Sequence, residues 1–225
     1  MNPQTIKKLY IEKGMDGASV INKKANQARI SIYSVEPSKM MKIARNKNTQ
    51  GVLADTFDFE YVPYEDMLKN ALKNKRTPLF LDGLTDPQNL GAIIRTLACL
   101  GKFCLVLPTH DSVSVTETVL RVASGGDNYV PIARVSNLHK AIRLAQEQGF
   151  WIMGAVVGAE EYITEVKLNW PVALVVGSEQ KGIRDIVAKQ VNQLVSIPMP
   201  LSTMSFNVGY ATSIICYEIT KQKKK

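Results

Sequence analysis

The chain's 225 residues are 45% hydrophobic and 21% charged, a balance that supports a buried core and excludes intrinsic disorder. A formal net charge of +8 points to a polyanionic partner. Cys99, Cys104 and Cys216 lack CxxC spacing, only two histidines accompany them, and no apolar run reaches the roughly 18 residues of a membrane helix, so no metal and no membrane partner is expected.

The opening stretch MNPQTIKKLYIEKG lacks the apolar core of a signal peptide, and a cytoplasmic protein is expected. KKLYIEKG and ISIYSVE are short β-rich runs, each followed by a basic, helix-compatible stretch (Gly17–Arg29 and Ser38–Arg45), and GVLADTF (51–57) is a third strand. YEDMLKNALKNK (64–75) predicts a helix with Leu68, Ala71 and Leu72 on one side. The polar KNKRTP (73–78) marks a boundary, giving domains of 1–75 and 76–225.

Beyond it the pattern is regular. PLFLDG leads to a helix after Asp86, FCLVLP to VTETVLRVASG, and YVPIARV to a helix capped by Ser136 that closes at Gly149. FWIMGAVVG follows; PVALVVG leads to IRDIVAKQ, and LVSIPM to a last helix from about Ser205 with the stripe Val208, Ala211, Thr212, Ile215, Ile219. Apolar strands alternating with amphipathic helices imply an α/β fold with a parallel sheet covered on both faces. In such sheets, ligands bind in loops at the carboxyl ends of strands.

Three of those loops are unusual. In DPQNLGAIIRT, Asp86 is an N-cap before Pro87, Asn89 lies in the first helical turn, and Arg95 falls off the apolar stripe. Taken singly, they read as a helix-start Asn and a surface Arg. GSEQKGI places Glu179 between Gly177 and Gly182, and singly is a glycine-bounded turn; it is neither a Walker motif nor GxGxxG. IPMPLSTMSFNV carries Ser205, expected as an N-cap, with Asn207 in the first turn.

Together, in this order, these three stretches resemble the motifs of the SpoU/TrmH branch of the SPOUT RNA 2'-O-ribose methyltransferases, over about residues 77–220. The first 75 residues resemble the L30e-like RNA-binding domain of the ribosomal RNA members, without its leading helix. The resemblance implies a C-terminal trefoil knot, a homodimer, and methylation of a ribose 2'-hydroxyl by S-adenosylmethionine, with large-subunit ribosomal RNA the favoured substrate. By that resemblance Ala155, Gly177, Ile197, Met199 and Phe206 line the cofactor pocket, and a side chain at Gly177 is expected to take space the ligand needs. Arg95 meets the substrate ribose and its phosphate; Asn89 and Glu179 orient it or the nucleotide; Ser205 and Asn207 order the third loop. A guanidinium is a poor proton acceptor, so positioning and charge stabilisation suit Arg95 better than the role of base. The third motif departs from the family pattern at Leu201, Phe206 and Gly209.

Two alternatives stay open: the same chemistry on tRNA, and an RNA-binding module without catalysis. Charge bears on the division of labour. Residues 1–75 hold 13 Lys/Arg against 8 Asp/Glu (+5), residues 76–220 hold 11 against 12 (−1), and KQKKK (221–225) adds four lysines. RNA affinity is therefore expected mainly in the N-terminal domain and tail, unless a dimer builds an RNA groove from two faces presenting Arg95 and Arg184.

Overall fold

The computed structural model describes residues 3–45, 48–200 and 204–223. The chain divides at Phe59/Glu60 into two units.

In the N-terminal unit, β1 (Ile6–Glu12), α1 (Ala18–Gln27), β2 (Ser31–Val35), α2 (Pro37–Ile43) and β3 (Val52–Thr56) follow in order. The sheet runs β2-β1-β3, with β1 parallel to β2 and antiparallel to β3. Side chains alternate between faces. Leu9, Ile32, Val52 and Ala54 pack with Ala25 of α1 and with Ile30 in a small core.

The C-terminal unit begins with α3 (Tyr64–Lys73), which lies on its core: Met67, Leu68 and Ala71 are buried with Phe80 and Ile142. The Tyr64 hydroxyl donates to the Ala141 carbonyl at 2.6 Å. The contact boundary therefore falls before this helix rather than at 75/76, because the apolar stripe of α3 has its partners downstream.

Six parallel strands follow: β4 (Thr77–Asp82), β5 (Phe103–Pro108), β6 (Ile132–Val135), β7 (Trp151–Ala155), β8 (Val172–Gly177) and β9 (Gln193–Val195). Their order is β6-β5-β4-β8-β7-β9. Every residue of β4, β5 and β8 is buried, as a parallel sheet covered on both faces requires. The helices of this unit are α4 (Pro87–Leu100), α5 (Glu117–Ala123), α6 (Leu138–Glu147), the short α7 (Asp185–Ala188) and α8 (Val208–Lys223). α7 is confined to four residues where a helix over 183–190 was expected.

Local chemistry sets the helix starts. Asp86 Oδ1 accepts from Gln88 N at 2.8 Å, and Pro87 opens α4. Gly91 lets α5 close on α4, since a Cβ there would come within 2.5 Å of Val122 Cβ and 2.9 Å of the Val119 carbonyl oxygen. Two caps differ from expectation. α6 is capped by Asn137, whose Oδ1 accepts from Lys140 N at 3.0 Å, not by Ser136. α8 starts at Val208, two residues after the expected first turn, with Asn207 Oδ1 accepting from Gly209 N at 2.9 Å; Ser205 is not its cap. In both, asparagine displaces a nearby serine, consistent with their similar cap strength.

At its far end α8 is tied down. Lys223 Nζ donates to Thr77 Oγ1 at 3.1 Å and lies over the rings of Trp170 and Phe103, 5.2 and 5.9 Å from their centroids. Burial lowers its ammonium to about 8. Lys221 pairs with Glu218 at 3.0 Å. Two of the four tail lysines thus have partners within the chain; Lys224 and Lys225, like Leu201, lie outside the described residues.

Candidate active site

The strand order reverses between β4 and β8, whose last residues Asp82 and Gly177 are registered partners. A crevice forms outside such a reversal in open parallel sheets. The loops after β4, β8 and β9 meet there.

Their meeting point is Glu179. Its Oε1 accepts from Asn89 Nδ2 at 3.2 Å, from Asn207 Nδ2 at 2.5 Å and from the Val208 backbone N–H at 3.4 Å. Asn207 Nδ2 also donates to Asn89 Oδ1 at 3.1 Å. One carboxylate thus fastens the start of α4 to the start of α8 through charge-assisted bonds. Gly209 completes the approach: a Cβ there would stand 3.2 Å from Asn207 Oδ1 and 3.8 Å from Asn89 Oδ1.

Beside this cluster lies a cavity of about 300 Å³. Its wall is built from Ala155 at the end of β7, Gly177 at the end of β8, Ile197 and Met199 after β9, Ser205 and Phe206, and Val208, Ala211 and Ile215 of α8. All five residues expected to hold the cofactor converge here, together with Glu179 and Ser205 from the expected catalytic set. The residues fit S-adenosylmethionine: apolar side chains flank a slot suited to a flat heterocycle, and the Glu179 carboxylate suits a cationic sulfur.

Gly177 has a different reason from the one expected. A Cβ on it would collide with the Gly182 carbonyl group and the Ile183 nitrogen. The missing side chain makes room for the returning loop, where Ser178 and Gly182 exchange backbone hydrogen bonds at 2.9 and 3.1 Å, rather than directly for a ligand.

Arg95 stands apart. It is exposed on α4 and outside the cavity wall, and its side chain makes no hydrogen bond or ion pair among the described residues. Gly126 backs the helix at this point, since a Cβ there would lie 3.1 Å from Arg95 Cα. The backbone position is fixed while the guanidinium faces outward.

Sequence reasoning missed Asp82. It is buried at 1% exposure at the end of β4. Its Oδ1 accepts from Arg184 Nε at 2.7 Å and pairs with Arg184 Nη2 at 2.6 Å, while Oδ2 accepts from Arg184 N at 2.8 Å. Buried charge demands such a partner. Arg184, considered above for an RNA groove, is held by this pair and orients the loop carrying Glu179. The available signal was a carboxylate closing an otherwise apolar strand just before Gly83. On this side of Glu179 a second cavity of about 340 Å³ lies among Asp82, Thr85, Asp86, Asp111, Lys181 and Arg184.

Among the described residues, no group of three or more His, Cys, Asp or Glu side chains is placed to hold a metal ion, and no helix is long and apolar enough to cross a membrane.

Residues 76–217 match the SpoU rRNA Methylase family, and residues 1–62 match the family described as RNA 2'-O ribose methyltransferase substrate binding. An uncharacterised tRNA/rRNA methyltransferase of Synechocystis is 36% identical over 194 residues, covering 85% of this chain and 50% of that protein, so the chain spans about half the length of that relative. The 23S rRNA (guanosine-2'-O-)-methyltransferase RlmB of Coxiella burnetii is 34% identical over 227 residues, covering 99% of this chain and 90% of its own. The AdoMet-bound rRNA methyltransferase of Sinorhizobium meliloti superposes with a TM-score of 0.80 at 25% identity, over 96% of this chain and 80% of that one.

Proposed function

The chain belongs to the SpoU rRNA Methylase family, and from that membership we propose that it transfers a methyl group from S-adenosylmethionine to a ribose 2'-hydroxyl of RNA, with large-subunit ribosomal RNA as substrate. The observation that carries the reading is the convergence of Ala155, Gly177, Ile197, Met199 and Phe206 on one cavity whose rim is the Asn89–Glu179–Asn207 cluster.

The bound cofactor supplies an electrophilic methyl on a cationic sulfur. The chain's own residues supply position. Ile197, Met199, Phe206 and Ile215 would hold the adenine between apolar side chains; Glu179 fixes the loop edges and would favour the cation; Ser205 closes the wall. Arg95, with no partner in the chain among the described residues, grips the phosphate and ribose of the incoming nucleotide. Holding the 2'-hydroxyl in line would contribute on the order of several kcal/mol toward the barrier, and the hydroxyl proton would leave to a phosphate oxygen or water.

Four finer assignments accompany this reading. The C-terminal segment, which leaves edge strand β9 and returns to pack α8 beside α4 and β8, threads a trefoil knot. The chain acts as a homodimer, paired through Ala92 and Cys99 of α4 and Tyr210 and Tyr217 of α8. The tyrosines are 70% and 55% exposed on a helix whose other face is buried, and this packing sets Arg95 at the interface edge. The protein works in the cytoplasm. Residues 1–59 recruit the RNA.

Mapping ribose methylation across total RNA, with and without the protein, tests the reaction. A new methylated ribose in 23S RNA supports it, one in tRNA alone moves the substrate, and none leaves a binding module. Calorimetry with S-adenosylmethionine and its demethylated product tests the cavity independently.

A further inference from the structure

The N-terminal unit has an unusual sheet face. The core side of β1 carries Leu9 and the opposite side carries Lys8 and Tyr10. The register slips between Ile6 and Lys8: Ile6 pairs with Thr56, yet Lys8 pairs with the adjacent Asp55. A bulge of this kind sets two successive residues against one on the partner strand. Ile6 stays in the core, so Lys7 and Lys8 both turn to the outer face.

Each of these lysines stands over an aromatic ring. Lys7 Nζ is 5.0 Å from the centroid of Phe57, and Lys8 Nζ is 5.7 Å from that of Tyr10. Tyr10 is registered against Tyr33 on β2, and their rings lie 5.6 Å apart, tilted by 31°. Tyr33 and Phe57 are 51% and 54% exposed. Two rings from paired strand positions, and a third just beyond the end of β3, thus stand with two cations beside them.

We propose that this face, centred on Tyr10, Tyr33 and Phe57 with Lys7 and Lys8 between them, is a stacking platform for unpaired bases of the RNA substrate. Large exposed rings on a sheet offer π-faces to splayed bases, while interleaved lysines meet the phosphates. The unit's charge agrees: residues 1–59 hold 10 Lys/Arg against 5 Asp/Glu. Duplex RNA keeps its bases stacked on each other, so the rings have nothing to engage there, and single-stranded segments are the fitting occupant. Asp55, 3.3 Å from Lys8, adds an acceptor for an exocyclic amino group. A protein partner would be expected to meet a continuous apolar patch rather than rings interleaved with cations. The inference rests on the reading that RNA is the substrate, and assigns which form of RNA the N-terminal unit grips and with which side chains.

The test uses the full chain, a uridine-rich single-stranded oligoribonucleotide, and a blunt RNA duplex of equal length, with anisotropy read from about 50 to about 200 mM salt. Tyr33→Ala is expected to weaken single-strand binding on the order of tenfold at every salt concentration, leaving the salt slope and duplex affinity unchanged. Tyr33→Phe keeps the ring and should bind like the parent. Lys7→Ala should lower the salt slope by about one phosphate contact. Phe57→Ala, outside the strands, repeats the test should Tyr33→Ala disturb the sheet. Parental single-strand affinity in both alanine variants overturns the proposal, as does equal loss on single strand and duplex. Methyl-donor affinity measured alongside separates the failures. Normal donor and RNA binding in the ring variants sinks the platform alone, whereas a parent chain that binds neither RNA probe sinks the substrate reading and the platform with it.

Discussion

The two sheets of this chain are buried to different depths. β4, β5 and β8 are covered at every position, whereas the N-terminal sheet encloses a small core around Leu9, Ala25 and Ile30 and leaves Tyr33, with Phe57 just past the end of β3, in the open. A sheet covered on both faces can present only the ends of its strands, so polar chemistry collects in the loops after β4, β8 and β9. A sheet with a free face can present the face itself. The first geometry suits holding a small cofactor in a fixed crevice; the second suits gripping a long, variable polymer.

Substitutions that act on one region alone sharpen this contrast. The largest effect is expected from Gly177→Val. Its Cβ would collide with the Gly182–Ile183 backbone, forcing the loop that carries Glu179 to move, so calorimetry should show no methyl-donor binding. RNA affinity, which we place in the other unit as a proposal, should persist; loss of both would mean that the regions are not independent.

Arg95→Ala should lower turnover by about 10²- to 10³-fold, the scale for removing one charge-stabilising donor. Donor affinity should stay within a few-fold, because Arg95 lies outside the cavity wall. Near-normal turnover in a methyl-transfer assay would remove Arg95 from the chemistry.

Leu68→Ala tests where the border runs. Leu68 is fully buried in the core of the C-terminal unit, so thermal unfolding should show a loss of about 2–5 kcal/mol in the transition that releases the methyl donor. A loss confined to the N-terminal unit would return α3 to the other side of the border.

The smallest effect concerns thiols. Cys104 and Cys216 are buried, burial pushing the Cys104 thiol up to about 12 and raising Cys216 further, and the thiolate is the reactive form. Only Cys99, exposed on α4, should react with a thiol reagent in the native chain. Its labelling should slow as protein concentration rises, since the proposed dimer face covers it. A rate independent of concentration would argue against pairing through α4.

How far the sequence revealed this molecule depended on the range of the cause. Apolar runs announced the strands of the larger sheet, and Asp86-Pro87 announced the start of α4, because those causes are local. The motif resemblance brought Asn89, Glu179 and Asn207 to one site, where they are bonded. The border near residue 75 looked right by composition, yet α3 belongs by its apolar stripe to a core assembled much later in the chain. Gly177 was legible as required, while its reason, the backbone of Gly182, depends on loop closure. Asp82 and Arg184 lie 102 residues apart, and nothing local marks them as partners. The bulge at Lys7 that turns two lysines onto one face is equally silent in sequence, because register is a property of the pair of strands.

The measurement that bears most directly on the division of labour compares residues 60–225 with the full chain at matched ionic strength, reading methyl-donor affinity by calorimetry and RNA affinity by anisotropy. The cut at residue 60 keeps α3 on its core. We expect donor affinity equal to that of the full chain and RNA affinity reduced by at least about tenfold, with a shallower salt slope, because the region carrying 10 Lys/Arg against 5 Asp/Glu has been removed. Equal RNA affinities would contradict this account, placing the RNA anchor on the catalytic unit and its Arg95 face.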